Sequence, residues 1–353
     1  MKRFLVTITD NIAPTSMPYN EFVLYRRKHE MDEKQIVILL FRTNTNETIP
    51  EDIEFHCVGK DRTKLRRIVE EVVARAAKEQ ATVVFHIHEA KSVLLFNVAT
   101  EWKYRRQIVY TLHSTYKNYP FHNKLFAQFA SRQCGQVICV SETSYKYYPK
   151  ALKQKLGGRV GYIQNGVDVE RIDSALADRK KNGVFTFIYV ARLVELKRHK
   201  ILLNALRMVP GVKLKLIGYG PLEQELRKEA EGLNVEFLGA QPRNSVYEEL
   251  KKSDAYISSS SYEGLPIGVL EAMCCGLPCI LSDIEQHREI AEKCRGVILC
   301  KDDMWENALK NLKEMNREDL LTVGKQNASD VKKSFSLAAM HRKYDEIYSK
   351  LER

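Results

Sequence analysis

No apolar run in this sequence approaches the roughly 18 residues needed to cross a bilayer. The longest, such as Ile36–Phe41, are a third of that, so no transmembrane helix is expected. Low-complexity and disordered-type tracts are absent too, since 44% apolar and 29% charged residues are the proportions of an ordinary soluble chain. Met1-Lys-Arg runs straight into Phe4–Thr9, which reads as a strand and lacks the length of a signal peptide's apolar segment. A cytoplasmic protein is therefore expected. The eight cysteines, at 57, 134, 139, 274, 275, 279, 294 and 300, include no C-x-x-C unit and have no histidines at ligand spacing. That argues against a zinc site and for buried free thiols. Recognisable nucleic-acid reader motifs are missing, and the aromatic residues are not interleaved with the basic ones as stacking platforms.

The chain has positive charge and length. Its 353 residues exceed one ordinary core and suit two domains of about 150 to 180 residues. Net charge is +11, and residues 1–170 hold 26 Lys/Arg against 18 Asp/Glu, leaving 30 against 27 for the remainder. The first half is thus the basic half. Clusters at Lys60-Arg62-Lys64-Arg66-Arg67 and Lys103-Arg105-Arg106 are either solvated helix faces or a surface attracted to an anionic membrane or a lipid-diphosphate acceptor.

Continuous apolar runs at 3–9 and 35–41, then 82–86, 107–112, 136–140 and 160–163, read as buried parallel strands. Helical periodicity lies between them at Glu21–Glu30, Lys64–Lys78 and Phe121–Arg132. That alternation is βαβ architecture. Polar residues 173–182, ending in Asn182-Gly183, read as a linker. A second series follows at 184–190, 213–217, 235–238, 255–258 and 278–281, and Phe335–Arg353 reads as a closing helix with Met340, Tyr344, Ile347 and Leu351 on one stripe.

One stretch carries the chemistry: Ser258–Ile290, SSSSYEGLPIGVLEAMCCGLPCILSDIEQHREI. Glu263 and Glu271 flank Gly264, Leu265, Pro266, Ile267 and Gly268, so a loop is expected to run into a helix beginning near Leu270. Unpaired backbone N–H groups and the positive end of a helix dipole favour a phosphate in front of such a loop. Carboxylates on either side accept hydroxyls, which suits a nucleotide sugar. Taken as two glutamates alone, the same residues are ordinary solvated side chains.

The whole string, Glu263-Gly-Leu-Pro-Ile-Gly-Val-Leu-Glu271-Ala-Met followed by Gly276-Leu-Pro278, resembles the E-x7-E signature of family 4 retaining glycosyltransferases with the GT-B fold. The resemblance implies an α/β chain of two doubly wound Rossmann-like domains facing across a cleft. It places an acceptor-side domain at 1–172, a nucleotide-sugar domain at 183–333, and a tail at 334–353 that crosses back to the first domain. Arg192 and Lys197, after the strand 184–190, stand where the family holds the donor diphosphate. The physical need is charge: fixed cations stabilise a diphosphate more as the bond to the sugar breaks. Gly218 and Gly220 resemble the family's glycine turn, and Arg243 is placed to contact the base. Glu263, Gly264, Leu265, Pro266, Ile267, Gly268 and Glu271 complete the implied donor site. His113 matches the family histidine facing the donor sugar, so His113, Glu263, Arg192 and Lys197 are the expected catalytic set. The acceptor side is expected at Ser16, Asn20, His88 and Asn165, with Asp168 structural. One departure stands out: the segment after the first strand, Asp10–Asn20, contains no glycine where the family carries a glycine-rich loop. Ser16 or Thr15 is a candidate cap for the helix that follows.

The expected activity is transfer of a sugar from a nucleotide donor, UDP ahead of GDP, with retention at the anomeric carbon and without metal or other cofactor. The expected acceptor is lipid-linked or otherwise anionic, with peripheral contact at the inner face of the membrane and no nucleic-acid partner. The rivals are a sugar-nucleotide epimerase or glycosyl phosphorylase on the same fold and, outside enzymes, a basic nucleic-acid-binding protein.

Overall fold

The computed structural model describes residues 2–12, 18–30, 32–45, 47–176 and 183–351. Two compact units result: Met1–Gln164 with Met340–Arg353, and Asn165–Ala339. The first is built on strands β1 (Arg3–Thr9), β2 (Glu33–Leu40), β3 (Glu54–Gly59), β4 (Thr82–Ile87), β5 (Ile108–Leu112), β6 (Gln136–Cys139) and β7 (Val160–Tyr162). They form one parallel sheet in the order β3-β2-β1-β4-β5-β6-β7. The second unit holds β8 (Phe185–Val190), β9 (Val212–Ile217), β10 (Val235–Gly239), β11 (Ala255–Ser258), β12 (Cys279–Ser282) and β13 (Val297–Cys300), in the parallel order β10-β9-β8-β11-β12-β13. Both sheets are doubly wound, so each has a place where strand order reverses: between β1 and β4, and between β8 and β11. Loops at the carboxyl ends of these strands part there and leave room for a ligand.

Strands expected from continuous apolar runs include the buried interior ones, as Ile36–Leu40 and Phe187–Tyr189 illustrate, and the edge strands β7 and β10. The two not among the expected strands, β3 and β13, lie at the opposite edges. β3, Glu54-Phe-His-Cys-Val-Gly59, has the mixed pattern that an edge strand permits, whereas β13, Val297-Ile-Leu-Cys300, is a short apolar run. The helix Ala90–Ala99 is likewise unannounced, because it is apolar on most of its circumference and shows little periodicity.

Three other elements differ from expectation. Glu21–Glu30 is not one α-helix but a π-helical segment, Pro18–Leu24, running into Tyr25–His29. The wider turn seats the fully buried Phe22 ring among His86, His88, His341 and Tyr344, at centroid distances of 4.7 to 5.4 Å. The boundary after residue 172 differs as well, because Val169–Ser174 is a helix of the second unit. Arg171 Nε donates to Asn244 at 2.8 Å, Lys332 pairs with Asp173 at 2.8 Å, and Val167 exchanges backbone hydrogen bonds with Phe335 and Leu337. Of the linker placed at 173–182, residues 177–182 lie outside the described residues. The third is the helix behind Glu263, which spans Ile267–Cys274 and so begins three residues before Leu270. Gly268 sits inside its first turn. A Cβ there would lie 3.0 Å from the Tyr256 hydroxyl and 3.3 Å from the Val190 carbonyl, so the glycine lets the helix pack against the sheet.

The closing helix, Leu337–Leu351, contributes its residues from Met340 onward to the first unit. Its buried stripe is Met340, His341, Tyr344 and Tyr348, whereas Ile347 and Leu351 are half-buried. Tyrosine can replace an aliphatic residue because its hydroxyl finds a partner: Tyr348 Oη meets His86 Nδ1 at 2.7 Å, and Tyr344 Oη meets Thr111 Oγ1 at 3.2 Å. Arg26, fully buried, bridges Glu33 at 2.5 Å and Asp345 at 2.7 Å, which ties the tail to β2. No helix among the described residues is long and apolar enough to cross a membrane.

Candidate functional site

Loop 191–198, which leaves β8, and loop 259–266, which leaves β11, meet at the switch point of the second sheet. Lys197 forms an ion pair there with Glu263, both side chains only 14% exposed. A run of serines secures this pair from behind. Ser259 Oγ donates to the Lys197 carbonyl at 2.7 Å and to the Arg198 carbonyl at 3.1 Å, while Ser261 N–H and Oγ donate to the Leu196 carbonyl. Tyr189 Oη shares a 2.8 Å hydrogen bond with Ser260 Oγ. Ser282 Oγ donates to the Ser260 carbonyl at 2.5 Å, and the His287 ring reaches back to Ser282. Arg198, with φ +51°, makes the left-handed turn that closes the first loop.

Arg192 lies on the same loop, and its side chain is exposed, with no hydrogen-bond or ion-pair partner among the described residues. That makes it a cation left available, in contrast to Lys197.

The glycine turn abuts this loop. Gly218 N–H donates to the Gly239 carbonyl at 2.8 Å, and Leu193 N–H donates to the Tyr219 carbonyl at 3.0 Å. A Cβ on Gly218, where φ is +140°, would sit 2.0 Å from the Ala191 carbonyl oxygen, and one on Gly220 would sit 2.3 Å from that of Leu193. These glycines are required for packing against the loop that carries Arg192.

Glu271 is buried and its Oε1 is engaged three times: by Arg243 Nε at 3.0 Å, Arg243 Nη2 at 2.8 Å and Tyr247 Oη at 2.9 Å. Arg243, which sequence places at a nucleobase, thus has its guanidinium on Glu271. Within loop 263–268 the Leu265 side chain belongs to the core, Pro266 precedes the helix, and Ile267 and Gly268 form its first turn. Glu263 and Gly264 are half-buried. Asn165 is buried, its Oδ1 without a partner among the described residues, and Asp168 caps the helix Val169–Ser174 by accepting from Arg171 N–H at 3.0 Å.

In the first unit, His88 and His113 come together at the carboxyl ends of β4 and β5, His88 Nδ1 and His113 Nε2 sharing a hydrogen bond of 2.9 Å. Burial lowers His113 to about 4 and holds His88 well below the usual imidazole range, with His86 and His113 adding to the effect. Both rings are therefore neutral near pH 7, one donating and the other accepting. His88 Nε2 is buried without a partner among the described residues. His86 is structural, spanning Tyr348 and Thr111. Asn20 lies in the π-helical segment, whereas Ser16 and Thr15 lie outside the described residues. Sequence reasoning missed Glu89, which follows His88 and accepts from Thr9 at 3.2 Å and Ser92 at 3.3 Å. Desolvation, together with Asp10, raises its carboxyl to about 8. It also missed Tyr189, the serine run and His287, whose importance appears only when β8, β11 and β12 are adjacent.

The buried histidines have a consequence for stability. Burial lowers His199 and His287 to about 4 and His341 to about 3, and His86 and His88 also lie low. These groups stay neutral in the folded chain but charge in the unfolded chain near pH 6.5, so the unfolded state binds more protons between about 6.5 and 4. Their contribution is full above pH 6.5 and is lost as pH falls. Each adds a slope of up to about 1.4 kcal/mol per pH unit in that window. Glu89, raised to about 8, runs the other way: the folded chain takes up its proton as pH falls from 8, which offsets the share of one imidazole. With five imidazoles against one carboxyl, the melting temperature should still drop steeply between pH 6.5 and 5, and a level profile over that window would contradict neutral buried imidazoles.

Residues 24–171 match the family model described as Glycosyltransferase Family 4, and residues 171–329 match Glycosyl transferases group 1. Among curated relatives, the chain is 26% identical over 230 residues to the UDP-Gal:alpha-D-GlcNAc-diphosphoundecaprenol alpha-1,3-galactosyltransferase of Escherichia coli, covering 59% of each. It is 29% identical over 231 residues to the phosphatidyl-myo-inositol mannosyltransferase of Mycobacterium leprae, covering 59% of this chain and 57% of that one. The chain spans about half the length of the curated relatives it matches. Among solved structures, Anabaena HepE in complex with UDP and glucose superposes with a TM-score of 0.76 at 19% identity, covering 98% of this chain and 99% of that one. With two parallel-sheet Rossmann-like units in the GT-B manner and consecutive family matches from residue 24 to 329, the chain belongs to the family 4 glycosyltransferases.

Proposed function

We propose that the chain transfers a sugar from a UDP-sugar to a lipid-linked saccharide in the synthesis of a cell-surface polysaccharide, with retention at the anomeric carbon. The observation that carries the reading is the pair of loops at the second sheet's switch point. They present an available cation, Arg192, on the same loop as a Lys197–Glu263 pair held by the serine run. A diphosphate gains charge as its bond to the sugar breaks, and pre-placed cations stabilise that charge without reorganising. Glu263 then accepts a donor hydroxyl while keeping Lys197 in place. The neutral His113–His88 pair offers imidazole nitrogens to sugar hydroxyls without adding charge. The relatives' names support the substrate classes: the Escherichia coli enzyme's gives a UDP-galactose donor and a lipid diphosphate acceptor. The lipid acceptor and the +8 charge of residues 1–170 support peripheral attachment to the inner face of an anionic membrane.

The test is a thermal-shift screen across UDP- and GDP-sugars, followed by transfer assays on the donor that binds. A ligand at 100 times its dissociation constant stabilises by about 2.7 kcal/mol. Release of UDP that depends on added saccharide acceptor supports transfer. Conversion of the donor without acceptor points to an epimerase, and dependence on inorganic phosphate points to a phosphorylase.

Because Arg192 and Lys197 supply the positive charge a metal would otherwise bring, transfer should continue at an unchanged rate in excess EDTA. Loss of activity that magnesium or manganese restores would show that these side chains do not suffice.

A further inference from the structure

The helix Phe121–Arg132 is turned the wrong way for a globular surface. Its buried positions are the small residues Ala127, Ala130 and Ser131. Its large apolar residues point outward: Phe121 is 77% exposed, Leu125 52%, Phe126 46% and Phe129 46%. At 100° per residue, positions 121, 125, 129 and 126 fall within one arc of about 140°, so the four side chains form a continuous stripe. A helix folding only to complete a core puts such residues inside. An outward stripe of this size marks a surface that something else covers.

The charge around the stripe indicates what covers it. His122 and Arg132 lie within the same exposed arc, and Lys124 borders it. From Trp102 to Ser141 the sequence contains no aspartate or glutamate but holds Lys103, Arg105, Arg106, Lys117, Lys124 and Arg132. Arg105 and Arg106 lie on a turn beside Gly135, three residues beyond the helix's last residue, where a Cβ would be 2.1 Å from the Arg106 carbonyl oxygen. The basic run on the helix Arg62–Lys78 is different in kind, since Arg66 pairs with Glu70 and Glu101, and Arg67 lies near Glu71. An apolar stripe bordered by cations, with no acid for forty residues, complements a surface that is apolar below and anionic above.

We propose that the Phe121–Arg132 helix lies in the interface of an anionic bilayer, with Phe121, Leu125, Phe126 and Phe129 at the headgroup–acyl boundary and the neighbouring lysines and arginines over anionic headgroups. This deepens the reading of a membrane-borne acceptor and rests on it for its purpose, although the surface itself is tested without any sugar. The apolar stripe makes attachment more than electrostatic.

The test is co-sedimentation of the full chain with phosphatidylglycerol–phosphatidylcholine vesicles and with phosphatidylcholine vesicles, at low and high salt. The wild type should partition to the anionic vesicles and retain part of that binding at high salt. The combined Phe121→Ser, Phe126→Ser and Phe129→Ser variant should lose about ten-fold or more of the partition, with an unchanged melting temperature because these side chains are exposed. Lys124→Gln with Arg132→Gln should reduce the preference for anionic over neutral vesicles. In Phe126→Trp, indole emission should shift to the blue when anionic vesicles are added, beyond any shift of the wild type. Absence of wild-type binding, equal binding by the triple-serine variant, or a change only in self-association measured by sedimentation would overturn the proposal. Binding with these signatures but no transfer to any lipid-linked acceptor would leave the surface standing and remove the acceptor reading.

Discussion

Arg192→Ala lowers the rate of sugar transfer about 10- to 1,000-fold, the range seen when one charge-stabilising group is removed from a reacting centre, and leaves the melting temperature where it was. Both halves of that expectation come from one observation: the Arg192 side chain is exposed and has no partner among the described residues. A side chain that holds nothing together costs nothing in stability when removed. A guanidinium aimed at a diphosphate costs heavily in the transition state. Lys197→Ala should lower the rate by a similar factor, but with a loss of stability, because it removes the cation beside a Glu263 carboxylate that is only 14% exposed. Steady-state kinetics on both variants beside their thermal melts separates the two cases. Wild-type turnover in Arg192→Ala at unchanged stability would remove the loop 191–198 from the reaction.

Glu271→Ala destabilises the second unit by about 3 to 5 kcal/mol, the cost of leaving a buried ion-pair partner uncompensated. The carboxylate accepts two hydrogen bonds from Arg243 and one from Tyr247, on a helix whose other buried residues are apolar. Glu271→Gln keeps an acceptor oxygen and loses only the charge, so its loss should be smaller, about 1 to 2 kcal/mol. Chemical unfolding, read as a shift in midpoint at constant slope, measures both. If Glu271→Ala were instead as stable as wild type and only weakened donor binding, the Arg243–Glu271 contact would be incidental and the carboxylate's main partner would be the ligand. The two glutamates of the signature thus differ in kind. Glu263 is half-buried at the mouth of a loop beside a lysine, whereas Glu271 is a buried anchor for Arg243 and Tyr247.

What the sequence determined by itself was the architecture. Continuous apolar strands between periodic helices read as parallel sheets because a strand covered on both faces has no polar side to show. The string from Glu263 to Pro278 read as a site because its glycines, proline and glutamates stand in register. The edge strand β3 was silent, since half of its surroundings is water and its pattern, Glu54-Phe-His-Cys-Val-Gly59, is correspondingly mixed. Tertiary structure alone decided which residue serves which partner. Gly218 and Gly220 resemble a glycine turn in sequence, and the structure supplies what they pack against: the Ala191 and Leu193 carbonyls, from a loop more than twenty residues earlier, occupy the space a Cβ would need. Arg243 finds Glu271 across 28 positions, and Ser259 fixes Lys197 across 62. Only folding brings such groups within hydrogen-bond reach. The helix Phe121–Arg132 shows the same limit: periodicity announced a helix, but which arc faces the core depends on packing. Here the helix lies beside Ala90–Ala99 and buries its small residues Ala127, Ala130 and Ser131, while the phenylalanines stay exposed.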